Sequence, residues 1–82
     1  SIKEDEIQIF PNPSGGVFYI KSDKEISEIE IINILGETVV SFINASQVNI
    51  IEINLSDNSK GIYLVRILDS KKNVITKKIW MQ

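Results

Sequence analysis

Apolar and polar residues alternate along most of this chain with a period of two, and no stretch keeps the 3.6-residue period of an amphipathic helix. Isoleucine is the most frequent residue, and its β-branched side chain fits the pleated surface of a sheet. The pattern predicts seven short strands and no helix, at positions 6–10, 17–21, 28–33, 38–43, 49–55, 62–68 and 74–80. Short strands at this spacing indicate an all-β fold, an antiparallel β-sandwich.

The connections between these strands have the residues that turns require. Pro11–Gly16 contains two prolines, which lack backbone donors, and two glycines, so it cannot be a strand. Asn33–Gly36 has Asn first and Gly fourth, which predicts a type I turn. Ile51, Ile53 and Leu55 form the clearest core stripe. The strand at 62–68 is apolar on both faces apart from Arg66, so we expect it in the middle of its sheet.

Composition excludes several classes of function. With 82 residues the chain has room for one domain, and it contains no Cys and no His, which excludes disulfides, thiolate nucleophiles, imidazole bases and the usual zinc sites. A net charge of −2 argues against nucleic-acid binding, and no apolar run approaches the ~18–20 residues that membrane insertion needs. Glu28 and Glu30 share a strand face, and nothing marks them as desolvated. We therefore expect no enzyme activity and no cofactor.

Charge is distributed unevenly along the chain. Residues 1–57 contain three lysines and ten acidic residues, for a net −7, whereas residues 58–82 contain six basic residues and one acidic residue, for a net +5. Such a distribution commonly reflects solvated faces and pairing of basic strands beside acidic ones. The functional alternative is that the basic C-terminal segment is a recognition element.

Tyr63 follows the turn glycine Gly61. That position suits a tyrosine corner, in which the hydroxyl group bonds to the backbone across the end of the sandwich. An ordinary packed aromatic residue is the alternative interpretation.

Five segments, read in order, carry a more specific pattern. They are Phe10–Gly16, Ile29–Val39, Ile53–Ser56, Lys60–Ile67 and Thr76–Gln82. In sequence and spacing they resemble the type A C-terminal sorting domain of the type IX secretion system (Por secretion system) of Bacteroidetes. The resemblance runs from about residue 7 to residue 82.

The resemblance implies a non-catalytic sorting signal that folds as an immunoglobulin-like sandwich. In that family the cargo protein reaches the periplasm by its own signal peptide, and its C-terminal domain is recognised by a shuttle protein and the outer-membrane translocon. A surface sortase then commonly removes the domain, so the implied location is the periplasm in transit and then the cell surface or the medium. We expect residues 1–5 to be a frayed linker to such a cargo.

Individual positions match the motifs of the family. The matches we expect to be architectural are Pro11, Asn12 and Pro13 in the first motif, Gly36 in the hairpin, and Gly61 and Tyr63 in the third motif. The residues we expect the translocon to recognise are Arg66, Lys77, Lys78, Ile79, Trp80, Met81 and Gln82. A C-terminal strand has backbone groups for strand pairing and a terminal carboxylate, and peptide-binding sites commonly recognise both. On this view, removing Ile79–Gln82 blocks export and leaves the sandwich largely folded.

A second interpretation stays open, in which the chain is an accessory sandwich of an extracellular enzyme, either structural or sugar-binding through Trp80. In either case the exposed sheet edges predict weak self-association at high concentration.

Overall fold

The computed structural model describes residues 6–45 and 47–82, so the predicted linker at 1–5 lies outside the described residues. Seven strands are present in the described part of the chain. They are β1 (Ile7–Phe10), β2 (Val17–Ser22), β3 (Glu28–Ile32), β4 (Thr38–Ile43), β5 (Ile50–Asn54), β6 (Gly61–Leu68) and β7 (Val74–Met81). Each end lies within one residue of its predicted position, because the alternation of side chains that marks a strand is a local property of the sequence.

The strands form two antiparallel sheets, which confirms the predicted all-β sandwich. One sheet has the order β1-β2-β5 and the other the order β4-β3-β6-β7. The strand β6 lies between β3 and β7, as its two apolar faces predicted. The strands β1, β5, β4 and β7 are sheet edges.

The core lies between the two sheets and consists of the inward-facing residues of all the strands except β4, whose inner residues pack at its margin. The predicted stripe Ile51, Ile53 and Leu55 is buried, with exposures of 1–3%. Each fully buried aliphatic side chain contributes roughly 1.5–3 kcal/mol. Aliphatic burial therefore holds the sandwich together, without a disulfide.

No helix in the described part of the chain has the length and apolar character needed to cross a membrane.

Candidate functional site

The loop between β1 and β2 lies along the outer edge of β7, so the first and last strands are joined there. The Asn12 side chain makes both contacts of a bridge: its Nδ2 donates to the Lys78 carbonyl at 3.2 Å, and its Oδ1 accepts from the Trp80 N–H at 3.1 Å. The peptide bonds before Pro11 and Pro13 are both cis. The first predicted motif thus packs directly on the last.

Ser14 continues this pairing with its backbone. Its N–H donates to the Trp80 carbonyl at 2.8 Å, and its carbonyl accepts from the Gln82 N–H at 2.8 Å. These bonds form a parallel bridge between Ser14 and Met81. The Ser14 side chain is buried, and its hydroxyl donates to the Val17 carbonyl and accepts from the Gly16 N–H. The C-terminal half of the β7 edge is therefore covered by the chain itself.

The bonds to Asn12 and Ser14 define which backbone groups of β7 face outward. They involve Lys78, Trp80 and Gln82, which are alternate residues. In an antiparallel pair, backbone groups point alternately to the partner strand and away from it, and the β6–β7 register is uninterrupted. The N–H and carbonyl groups of Thr76 therefore also point outward, beyond the end of the covered stretch.

The predicted recognition residues on β7 divide between the two faces of the strand. Ile79 and Met81 belong to the core, with exposures of 0% and 3%. Trp80 is 51% exposed, Lys78 is exposed, and Lys77 is half-buried on the inward-facing side.

This burial bears on two sequence-based expectations. The side chains of Ile79 and Met81 are buried in the folded domain, so a partner cannot contact them there. Their removal would also take two buried side chains from the core, so we expect a chain lacking 79–82 to lose much of its stability. The alternation along β7 was visible in the sequence, but Trp80 is a large apolar residue between Ile79 and Met81, which obscured which side of the strand faced inward.

Arg66 is engaged within the domain. Its Nη1 lies 3.1 Å from the Glu30 Oε1 on the neighbouring strand β3, and Lys72 Nζ lies 3.7 Å from the Glu28 Oε2. Both pairs join the basic segment 58–82 to an acidic strand. The Arg66–Glu30 pair is the cross-strand pairing expected from the charge distribution, whereas Lys72 lies in the loop between β6 and β7. Exposed pairs of either kind contribute little stability.

A groove of about 460 Å³ lies between the edges of the two sheets. It is lined by Ile9 of β1, Asn12 of the loop, and Thr76, Lys77 and Lys78 of β7. The groove therefore begins at Lys78, where the pairing of β7 with the β1–β2 loop ends. Within residues 6–45 and 47–82, no three His, Cys, Asp or Glu side chains are placed to hold a metal ion.

The remaining motif residues form turns and a corner at the end of the sandwich. The Gly36 N–H donates to the Asn33 carbonyl at 3.0 Å with a φ of +85° at Gly36, which closes the predicted turn. The buried Tyr63 donates its hydroxyl hydrogen to the Ser59 carbonyl, which is the arrangement of a tyrosine corner.

Asn44 is a structural residue that sequence reasoning did not identify. It is 4% exposed, its Nδ2 donates to the carbonyls of Ile26 and Val48, and its Oδ1 accepts from the Val48 N–H. These bonds fasten the end of β4 to the segment before β3. The only sequence signal was an asparagine directly after a strand, which is too common to single out.

The model of a family described as "Secretion system C-terminal sorting domain" matches residues 8–82. No curated protein matches the chain significantly. Among solved structures, the crystal structure of CopC from Methylosinus trichosporium OB3b is similar to this chain with a TM-score of 0.48 and 18% identity, over 84% of this chain and 76% of that one.

Proposed function

The chain belongs to the family of secretion system C-terminal sorting domains, and we propose that its folded sandwich directs a periplasmic cargo protein through the outer-membrane translocon of a type IX secretion system. The observation that carries the proposal is the extent of the match, which begins at the second residue of β1 and includes β2 to β7 and the loop that covers β7. On the cell surface a sortase removes the domain, and the cargo remains at the surface or enters the medium.

The surface around β7 is the part of the domain best suited to recognition. Lys78, Trp80 and Gln82 are exposed, Lys77 lines the groove beside them, and Arg66 lies opposite Thr76 on the same outer face. The positive charges of Lys77, Lys78 and Arg66 lie on β7 and the neighbouring strand β6, so they can steer an acidic partner toward this surface. The shuttle protein and the translocon are the partners we propose for this surface.

The burial of Ile79 and Met81 implies that the partner recognises a folded domain. The outward face of β7 exists only while Ile79 and Met81 anchor the strand in the core. A flexible tail of the same sequence would present no ordered face and would have to lose conformational entropy on binding. We therefore propose that the signal is a surface of the sandwich and not a linear tag.

A transplant experiment tests the function. Residues 1–82 are fused behind a signal peptide and a fluorescent reporter, in a bacterium with an intact type IX system. We expect the reporter at the cell surface or in the medium, and its return to the periplasm in a translocon mutant. Periplasmic retention in the wild-type strain would contradict the proposal and favour an accessory sandwich.

A pair of charge reversals tests the recognition surface. We expect Lys78→Glu to reduce export, because it reverses a charge on the proposed face. Lys60→Glu, at an exposed lysine in the loop before β6, is the matched control and should export normally. Circular dichroism of the purified variants checks that both are folded. Equal export of the two variants would move recognition away from β7.

A further inference from the structure

The edge of β7 is covered over only half of its length. Asn12 and Ser14 pair with the stretch from Lys78 to Gln82. That pairing starts at the carbonyl of Lys78. The N–H of Lys78, and the N–H and carbonyl of Thr76 before it, also point outward, and they have no partner among residues 6–45 and 47–82. Thr76 is also exposed. A short row of strand hydrogen-bonding groups is therefore available to another chain.

The surroundings of Thr76 have the shape of a site for an extended segment. The groove of about 460 Å³ runs beside it, with Ile9 of the other sheet as the opposite wall and Asn12 at its closed end. A bound strand would stack against Ile9 with one row of side chains while its backbone paired with β7.

The charges of the groove select an acidic occupant. Lys77 and Lys78 lie on opposite faces of β7, and both line the groove. Neither has an ion-pair partner in the described ranges, whereas Lys24, Arg66 and Lys72 each have one. An added strand with alternating acidic side chains would place carboxylates beside Lys78 on one face, and a residue of the other face beside Lys77.

We propose that this groove binds an extended acidic segment of another polypeptide, which joins the four-stranded sheet as an additional strand beside Thr76. That the segment belongs to the secretion machinery rests on the function proposed above, whereas the binding itself does not. Lysines on an edge strand can also serve only to prevent aggregation, so the test separates binding from edge protection.

The first experiment titrates the 82-residue chain with a blocked seven-residue peptide that alternates valine with glutamate. We expect changes in the amide resonances of Thr76 and Lys78, and slower hydrogen exchange at both amides. The same peptide with lysine in place of glutamate, and one with alternate backbone nitrogens methylated, should not bind. Inorganic phosphate is the further probe. If phosphate shifts the resonances of both lysines and the acidic peptide leaves the Thr76 amide unprotected, the groove is an anion site and strand addition is wrong.

Two variants test the backbone and the charge separately. Thr76→Pro removes one outward donor and should weaken peptide binding about five- to tenfold, the effect of one hydrogen bond. Thr76→Val is its matched control, because it keeps the backbone donor and a β-branched side chain at the same exposed position, and it should bind as wild type. Lys77→Glu with Lys78→Glu leaves the backbone donors in place and should weaken binding at least about tenfold, with the loss reduced by added salt.

The export assay distinguishes this inference from the proposed function. Loss of export in Thr76→Pro and in the double lysine variant, with Thr76→Val exported, supports the strand-addition site. A wild-type domain that is exported but binds no acidic peptide, with Thr76→Pro exported normally, overturns the site and leaves the sorting function intact. Peptide binding by a domain that is not exported supports the site and overturns the function.

Discussion

Gly16 shows how closely a single residue can be constrained in this fold. It lies directly before β2 with a φ of +144°, and its carbonyl accepts a hydrogen bond from the Leu55 N–H at 2.7 Å. A Cβ atom at this position would lie 3.0 Å from the Cβ of Ser56. Both the backbone conformation and the close approach of the two chains therefore require glycine.

Gly16→Ala is expected to destabilise the domain by about 1–3 kcal/mol, because it combines a strained backbone with a contact that is too close. Gly15→Ala is the matched control, since a Cβ there meets nothing within 4 Å. We expect the control to change stability by less than about 0.5 kcal/mol. Urea unfolding measures both variants, and equal effects would show that the approach to Ser56 does not matter.

Asn12 acts through its amide group, which joins two backbone groups of β7. Asn12→Ala should lower the free energy of unfolding by about 0.5–1.5 kcal/mol, a moderate value because the bonds are exposed. Hydrogen exchange at the Trp80 amide should become faster at the same time. Asn58→Ala, at an exposed asparagine of the loop before β6, is the control. Unchanged exchange at Trp80 in Asn12→Ala would contradict the bridge.

At the scale of the element, β7 combines two functions in one strand. Its inward residues complete the core, and its outward residues form the proposed recognition surface. The outer edge is likewise divided between a stretch paired with the β1–β2 loop and an open stretch at Thr76. Removing such a strand is therefore a poor test of recognition, because we expect it to destabilise the fold as well.

A chain that ends at Lys78 should therefore be largely unfolded. Loss of Ile79 and Met81 from the core costs about 2–5 kcal/mol for each side chain, against about 4–12 kcal/mol of total stability for a domain of this length. Far-ultraviolet circular dichroism at 25 °C measures the outcome. A chain that ends at Met81 loses only the bond from Gln82 to Ser14, and should remain folded. A cooperative thermal transition in the shorter chain would contradict this account.

At the scale of the whole molecule, the sandwich has two kinds of exposed surface that favour association with another chain. The edges of β1, β4, β5 and part of β7 are open in the described structure. The tip of the β3–β4 hairpin carries Ile34 and Leu35, which are 82% and 79% exposed. They border a hollow of about 330 Å³ beside the start of β6.

Self-association through the edges is expected at high concentration. Light scattering at millimolar concentration should show a weak monomer–dimer equilibrium, because unpaired strand edges favour pairing with another copy. The equilibrium should persist in a variant with Ile34→Asn and Leu35→Asn if the edges drive it. A strict monomer would contradict the prediction, and a monomer only in the double variant would assign the association to the hairpin tip.

The sequence by itself determined the strands, the turns and the core stripe of this protein. Alternation of side chains is built into the extended backbone, and turn residues act on their own φ and ψ angles, so both can be read locally. The same local pattern placed Ile51, Ile53 and Leu55 in the core and β6 in the middle of its sheet.

Only the tertiary structure decided that the loop between β1 and β2 pairs with β7. The bonds from Asn12 join residues 66 and 68 positions apart, and no local pattern specifies such a partner. The same pairing determines that Lys78–Gln82 is covered and that Thr76 is open, and core packing determines that Ile79 and Met81 point inward. The physical reason is that every residue except proline has the same backbone N–H and carbonyl groups. Which partner such a group finds therefore depends on how the two sheets pack together.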